Sequence, residues 1–253
     1  MKTLLKGICK YMLGVLSIAG GLSAAAACQA ATITADFNGD GINDTATITA
    51  GSGTVKIVRG GGAGTTTYNT FSNWLTFHAI NANGIAGQEL VATFASGYVE
   101  IIDDRARTSR GYNVQGINSI LGSRTLFFSE LNGAAGTEIL FIYAKGAVSI
   151  IDDRLHTIRD YNVFGVGFGG STRYLQIAEF NGVAGNEIMF SYMSGTSMVV
   201  DDRLRTVRTY NYLTNGSAPT YANADGVAGL EAIFRFGGST IWLVDRTRSL
   251  IYR

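Results

Sequence analysis

Cysteine and proline are almost absent from this chain of 253 residues, and each scarcity closes off a class of structure. Both cysteines, Cys9 and Cys28, fall within the first thirty residues, so the remainder has no pair for an internal disulfide and must be held by burial and hydrogen bonds. A single proline beside 33 glycines with no triplet period excludes a collagen-like chain. Charged residues make up only 15% of the chain and hydrophobic residues 46%, the reverse of what a disordered polymer needs. Past residue 30, Gly, Asn, Asp or Arg interrupts every apolar run well short of the roughly 18 residues that cross a bilayer. A packed, soluble body with no transmembrane segment is expected. The two histidines, His78 and His156, lie far apart with no cysteine near, which points away from zinc ligation and from a nucleophile–base pair.

The first thirty residues have a different character. Lys2, Lys6 and Lys10 accompany an apolar stretch from Tyr11 to Ile18, and small residues follow as far as Ala27. This is the pattern of a secretory signal peptide, with cleavage expected after Ala30 and a mature domain over 31–253. A rival reading takes Ala25-Ala26-Ala27-Cys28 as a lipoprotein box with a lipid anchor on Cys28, although the usual leucine is missing. Either way the protein is expected to be secreted, periplasmic or on the cell surface. Loss of the leader leaves 17 basic and 19 acidic residues, a balance that gives no electrostatic reason to expect nucleic acid.

Self-similarity organises everything after the leader. Asn83-Gly84-Ile85-Ala86-Gly87-Gln88-Glu89-Leu90 recurs from Asn132, from Asn181 and, more loosely, from Asp225, at offsets of 49, 49 and 44 residues, and Asn38-Gly39 lies 45 residues before the first. A second landmark keeps phase with it: Asp103-Asp104-Arg105, Asp152-Asp153-Arg154, Asp201-Asp202-Arg203 and a shortened Asp245-Arg246. Five units follow, approximately 31–72, 73–121, 122–170, 171–216 and 217–253.

Each unit holds four short runs rich in β-branched and aromatic residues, separated by Gly, Asn or Asp. In the third they are Thr125–Leu131, Ile139–Tyr143, Ala147–Asp152 and Thr157–Val163. Short turns between runs predict a four-stranded antiparallel sheet per unit, too small to bury both faces alone. A linear stack or a radial ring would bury them. The period and strand count suit a propeller blade, and the five units fill the chain with no segment set aside to cap exposed ends. The expectation is an all-β, five-bladed β-propeller of four-stranded antiparallel blades.

One loop carries metal chemistry. In Asp36-Phe37-Asn38-Gly39-Asp40-Gly41-Ile42-Asn43-Asp44, side-chain oxygens stand at positions one, three, five and nine, glycine at six, and the carbonyl of Ile42 at seven. Calcium takes six to eight hard oxygen ligands, and alternate positions around a tight turn supply them. An ordinary Asn/Asp/Gly turn is the plainer reading of the same residues. The run resembles the FG-GAP and VCBS repeats of integrin-type propellers and many secreted bacterial proteins. That resemblance implies a loop joining the two innermost strands of a blade and one calcium ion held by Asp36, Asn38, Asp40 and Asp44. Later units depart from it, because Ile85, Ala134 and Val183 replace the fifth-position oxygen. Their ninth-position Glu89, Glu138, Glu187 and Glu231 are expected to hydrogen-bond turn amides instead.

The Asp-Asp-Arg repeat admits two readings: ligand sites at Asp104, Arg105, Asp153, Arg154, Asp202, Arg203, Asp245 and Arg246, or turns whose arginines reach acids on an adjacent strand or blade. Gly165 to Gly170 formally contains G-x-G-x-x-G, but the fingerprint needs a βαβ unit and none surrounds it. No G-x-S-x-G nucleophile motif occurs. Together these point to a non-catalytic, calcium-binding module for a glycan or an extracellular protein. The alternatives are a carboxylate-based glycosidase or lyase with acids near a central channel, and a structural envelope component.

Overall fold

The computed structural model describes residues 31–49, 51–72, 74–115, 124–144, 146–163, 173–192, 195–212 and 218–253. The expected leader, Cys28 and the glycine-rich run after 164 lie outside the described residues. Blade 1 comprises Ala31–Ala35, Asp44–Thr49, Thr54–Val58 and Thr65–Asn69 (β1–β4), and blade 2 Trp74–Ile80, Glu89–Phe94, Tyr98–Asp103 and Thr108–Asn113 (β5–β8). Blade 3 comprises Arg124–Ser129, Glu138–Tyr143, Ala147–Asp152 and Thr157–Asn162 (β9–β12). Blade 4 comprises Arg173–Ala178, Glu187–Tyr192, Thr196–Asp201 and Thr206–Asn211 (β13–β16), and blade 5 Thr220–Ala222, Glu231–Phe236, Ser239–Val244 and Ser249–Tyr252 (β17–β20). Every blade is a four-stranded sheet in sequence order, and every pairing is antiparallel. The fold is all-β, with propeller-type blades.

Burial follows from position in the row. In blades 2 to 4 the two middle strands are buried almost end to end, as in Glu138–Tyr143 and Ala147–Asp152, because each sheet is covered by a neighbour on both faces. Four apolar clusters fill the spaces between successive blades. Ile48, Ile57, Leu90 and Ile102 join blades 1 and 2, and Val91, Ile101, Phe141 and Ile151 join blades 2 and 3. Leu140, Ile150, Phe190 and Val200 join blades 3 and 4, and Met189, Val199, Phe234 and Leu243 join blades 4 and 5. Each such side chain contributes roughly 2 kcal/mol when withdrawn from water, so a blade is stable mainly through its neighbours.

The loops between the first and second strands form a second joint. The amides of Gln88, Thr137, Asn186 and Leu230 donate to the carbonyls of Asp36, Asn81, Glu130 and Glu179 of the preceding blade, at 2.7–2.9 Å. Backbones approach so closely there that a Cβ on Gly84 or Gly133 would sit 2.3 or 2.5 Å from the carbonyl oxygen of Ala135 or Ala184, and both glycines have positive φ.

Among the described residues the fifth joint, from blade 5 back to blade 1, is not made. Gly226 occupies the same loop position with no atom within 4 Å of where its Cβ would be, and no Asn43–Asn223 backbone bond continues the series. The outward face of blade 1 accounts for this. Its strands alternate, with Ala46, Ile48, Val55 and Ile57 buried toward blade 2 and the opposite face outside. Across that face run Thr32, Thr47, Lys56 and Thr67 in one cross-strand row and Thr34, Thr45, Val58 and Thr65 in the next. Threonine suits a strand and tolerates water, so blade 1 ends the row with a solvated sheet. At the other end the Arg253 guanidinium lies 4.1 Å over the Trp242 ring. Among the described residues the five blades thus share four joints, and no separate segment caps the ends: blade 1 presents its threonine face, and blade 5 the row Ile233, Trp242 and Ile251.

Candidate functional site

The loop of blade 1 closes on its own backbone. Asp36 accepts from the amides of Gly39 and Asp40 through Oδ1 (2.7 and 3.2 Å) and from Gly41 through Oδ2 (2.8 Å). Asn38 Oδ1 accepts from the Asp40 amide at 2.9 Å and Asp40 Oδ1 from the Ile42 amide at 2.7 Å, while Asn38 Nδ2 donates to Asp40 Oδ2 at 2.9 Å. Asp44 is fully buried beneath, with Oδ2 on the Phe37 amide (2.9 Å) and Oδ1 on the Gly60 amide (2.8 Å). Asp36, Asn38, Asp40 and the Ile42 carbonyl thus belong to one exposed turn, and as hard oxygen donors they fit calcium. Asp44 differs from Asp36, whose oxygens also accept backbone amides, in being fully buried beneath the turn. In this arrangement no three acidic, imidazole or thiol side chains gather as a metal-binding group among the described residues.

The ninth-position acid plays the same part in every blade. Glu89 accepts from the Ala82 amide through Oε2 and from Asn83 Nδ2 through Oε1, both at 2.7 Å, and Asn83 Nδ2 also reaches Asp103 at 3.1 Å. Glu138 and Glu187 repeat this with the amides of Leu131 and Phe180 and the side chains of Asn132 and Asn181. Burial pushes the carboxyls of Glu89, Glu138 and Glu187 up to about 7, against the opposing pull of those amides. Blade 5 solves the same problem with charge. It has Val244 where the others have their first aspartate, and Arg246 ion-pairs with Asp225 and Glu231 in place of the asparagine bridge.

The Asp-Asp-Arg turns divide their residues between interior and surface. Asp104, Asp153, Asp202 and Asp245 are buried, and each is gripped by an arginine and a tyrosine from the preceding blade. Arg59 Nε and the Tyr68 hydroxyl reach Asp104 at 2.8 and 2.6 Å. Arg110 and Tyr112 reach Asp153, Arg159 and Tyr161 reach Asp202, and Arg208 and Tyr210 reach Asp245. The guanidinium of Arg110 is held above its ordinary range first by its bond to Asp153, and the tyrosine hydroxyls are raised first by burial. A ligand would have to displace a buried ion pair to use any of these four aspartates. Arg105, Arg154 and Arg203 remain exposed at the surface, with Arg105 Nη1 on the Ala86 carbonyl at 3.0 Å. The clamping arginines escaped the sequence reading, although Arg-x-Tyr-Asn repeats in phase at Arg110, Arg159 and Arg208.

Beside the joint between blades 2 and 3 opens a groove of about 550 Å³ lined by Arg110, Gly111, Tyr112, Asn113, His156 and Ile158. The same positions at the next two joints hold Asn162, Arg205 and Val207, then Asn211, Arg248 and Leu250. His156, Arg205 and Arg248 share a left-handed backbone, with φ of 53–55°, so each basic side chain leaves its turn in the same direction.

No family model and no curated protein matches this chain. Solved structures with a similar fold include BamB from Moraxella catarrhalis, at 13% identity and a TM-score of 0.42, over 84% of this chain and 60% of that one. A lectin from Agrocybe aegerita, described as recognising non-reducing terminal N-acetylglucosamine, aligns at 13% identity and a TM-score of 0.45, over 89% of this chain and 66% of that one. The N-terminal part of BBS1, in complex with ARL6, aligns at 12% identity and a TM-score of 0.39, over 87% and 66%. The chain thus spans 60–66% of the length of these structures. At such identities the likeness extends to blade architecture alone.

Proposed function

We propose that this protein is a secreted, non-catalytic binding module that takes a glycan in the grooves between its blades. The observation that carries this reading is the groove at Arg110, Tyr112, Asn113, His156 and Ile158, with its amide, nitrogen-bearing and aliphatic positions repeated at the following joints. An amide and a basic group supply directed hydrogen bonds to hydroxyls, and the aliphatic wall covers the apolar face of a sugar ring. Several weak sites of one kind on a rigid frame give affinity through avidity. Calcium is proposed at Asp36, Asn38, Asp40 and the Ile42 carbonyl, where it stiffens the first loop. Asp44 supports that loop from below.

A glycan array with the purified protein in calcium tests the reading. Retention of one glycan class is expected, weakening stepwise as Asn113→Ala, Asn162→Ala and Asn211→Ala are combined. An array with no retained glycan would overturn it, and so would turnover of a bound glycan.

A further inference from the structure

We propose that the loop-bearing end of the blades is a docking surface for an anionic lipid bilayer, a property independent of the groove reading. In an antiparallel four-stranded blade the first loop and the last turn close the same end of the sheet, and the bonds from Arg105 to Ala86 and from Arg246 to Asp225 join them directly. At that end Ile42, Ile85, Val183 and Val227 stand on the first loops, 39–51% exposed, and Leu155 and Leu204 on the last turns, 49% and 47% exposed. These are six of the ten large apolar side chains exposed among the described residues, gathered at one end on the first loops of blades 1, 2, 4 and 5 and on the last turns of blades 3 and 4. A single exposed leucine needs no explanation, but co-facial repetition does.

The same turns carry a second, electrostatic signal. Arg105, Arg107, Arg154 and Arg203 are all exposed there, while Asp104, Asp153 and Asp202, beside three of them in sequence, are turned inward to the buried clamps. Acids on this end are Asp36, Asp40, Glu130, Glu179 and Asp225. Glu130 and Glu179 accept the amides of Gly133 and Gly182, and Asp225 is paired with Arg246. The near-neutral total charge hides this separation, because the aspartates of the last turns are buried while the arginines that follow them are exposed.

A bilayer interface uses both features at once. A polyanionic glycan or a nucleic acid would engage the arginines and leave the aliphatic tips in water. The tips stand singly on separate loops rather than lining one groove, which suits a fluid surface into which each inserts on its own. Arginine near anionic headgroups adds roughly 1 kcal/mol per residue, about fivefold in partitioning. No helix among the described residues is long and apolar enough to span a membrane, so attachment through this face is peripheral.

Co-sedimentation of the purified protein with vesicles of phosphatidylcholine, with and without phosphatidylglycerol, tests this. Binding is expected only to the anionic vesicles. The Leu155→Ser/Leu204→Ser and Arg105→Gln/Arg203→Gln double variants should each lower it by roughly tenfold or more at an unchanged melting temperature. No binding to anionic vesicles by the folded protein would overturn the proposal. Binding that salt abolishes and the leucine variant leaves untouched would also overturn it, and would identify a surface for soluble polyanions. Since none of these substitutions falls in the groove, retained glycan binding by the variants separates this outcome from the groove reading.

Discussion

The hydroxyl of Tyr112 donates to Oδ1 of Asp153 at 2.6 Å across the joint between blades 2 and 3, on the same carboxylate that Arg110 holds through Nε at 2.9 Å and Nη2 at 2.5 Å. Asp153 is fully buried, so removing its charge leaves the Arg110 guanidinium with only the more distant Asp103, at 4.0 Å, as counter-ion. Asp153→Asn is expected to destabilise the fold by about 3 kcal/mol, the cost of breaking rather than replacing a buried pair. Tyr112→Phe removes one hydrogen bond and should cost about 1 kcal/mol. Urea unfolding of the two variants checks the order, and an Asp153→Asn protein as stable as the parent would show that the joint does not depend on the clamp.

The glutamate staples make stability depend on pH in an unusual direction. Burial raises Glu89, Glu138 and Glu187 from an ordinary 4.5 to about 7. Between those values the folded chain keeps protons that the unfolded chain has released, so this contribution to stability falls as pH rises from about 4.5 to about 7 and is level above. Glu138→Gln cannot lose a proton. The urea midpoint of the parent, measured relative to that variant, should therefore decline across the window, and a difference that stays flat or grows would contradict the assignment.

Calcium at the first loop should appear as a shift in melting temperature. A ligand that binds only the folded chain stabilises it by about 2.7 kcal/mol at a hundred times its dissociation constant. The parent is expected to melt higher in calcium than in EDTA, while Asp36→Ala and Asp40→Ala melt alike in both. Asp44→Ala separates the two roles of that acid: loss of the Phe37 and Gly60 bonds should lower stability by about 2 kcal/mol even in EDTA. Equal melting of the parent in calcium and EDTA would remove calcium from the proposal.

Much of the architecture was legible in the chain, because two landmarks repeat in phase and the strands between them are bounded by Gly, Asn and Asp. In the third blade the strand expected at Ala147–Asp152 is found there, and the one expected at Thr125–Leu131 is observed at Arg124–Ser129. Joint chemistry was less legible. Asp153 and its partner Arg110 lie 43 residues apart in different repeats, and the arginine next to Asp153 in sequence points to solvent instead. The unmade fifth joint left traces that only the structure interprets. Thr32, Thr34, Thr45 and Thr47 alternate with buried residues in blade 1, and β20 places Ile251 and Arg253 where β16 has Arg208 and Tyr210. A threonine pattern reads as strand in either case, and only the packing of blade 1 shows that none of the described residues covers its outer face.

Gly133 and Gly226 provide a test of that open end. Both are the fourth residue of their loop and both have nearly the same backbone, with φ of +77° and +78°. A methyl group on Gly133 would meet the Ala184 carbonyl oxygen of the next blade at 2.5 Å, whereas one on Gly226 would meet nothing within 4 Å. The strain of placing alanine in the left-handed region is common to both and amounts to about 1–2 kcal/mol. Gly133→Ala must in addition push two blades apart, for a total of about 3 kcal/mol or more. Gly226→Ala is thus expected to unfold at a clearly higher urea concentration than Gly133→Ala. If blade 5 closed onto blade 1 in solution, Gly226 would face a carbonyl as its counterparts do, and the two variants would be equally impaired.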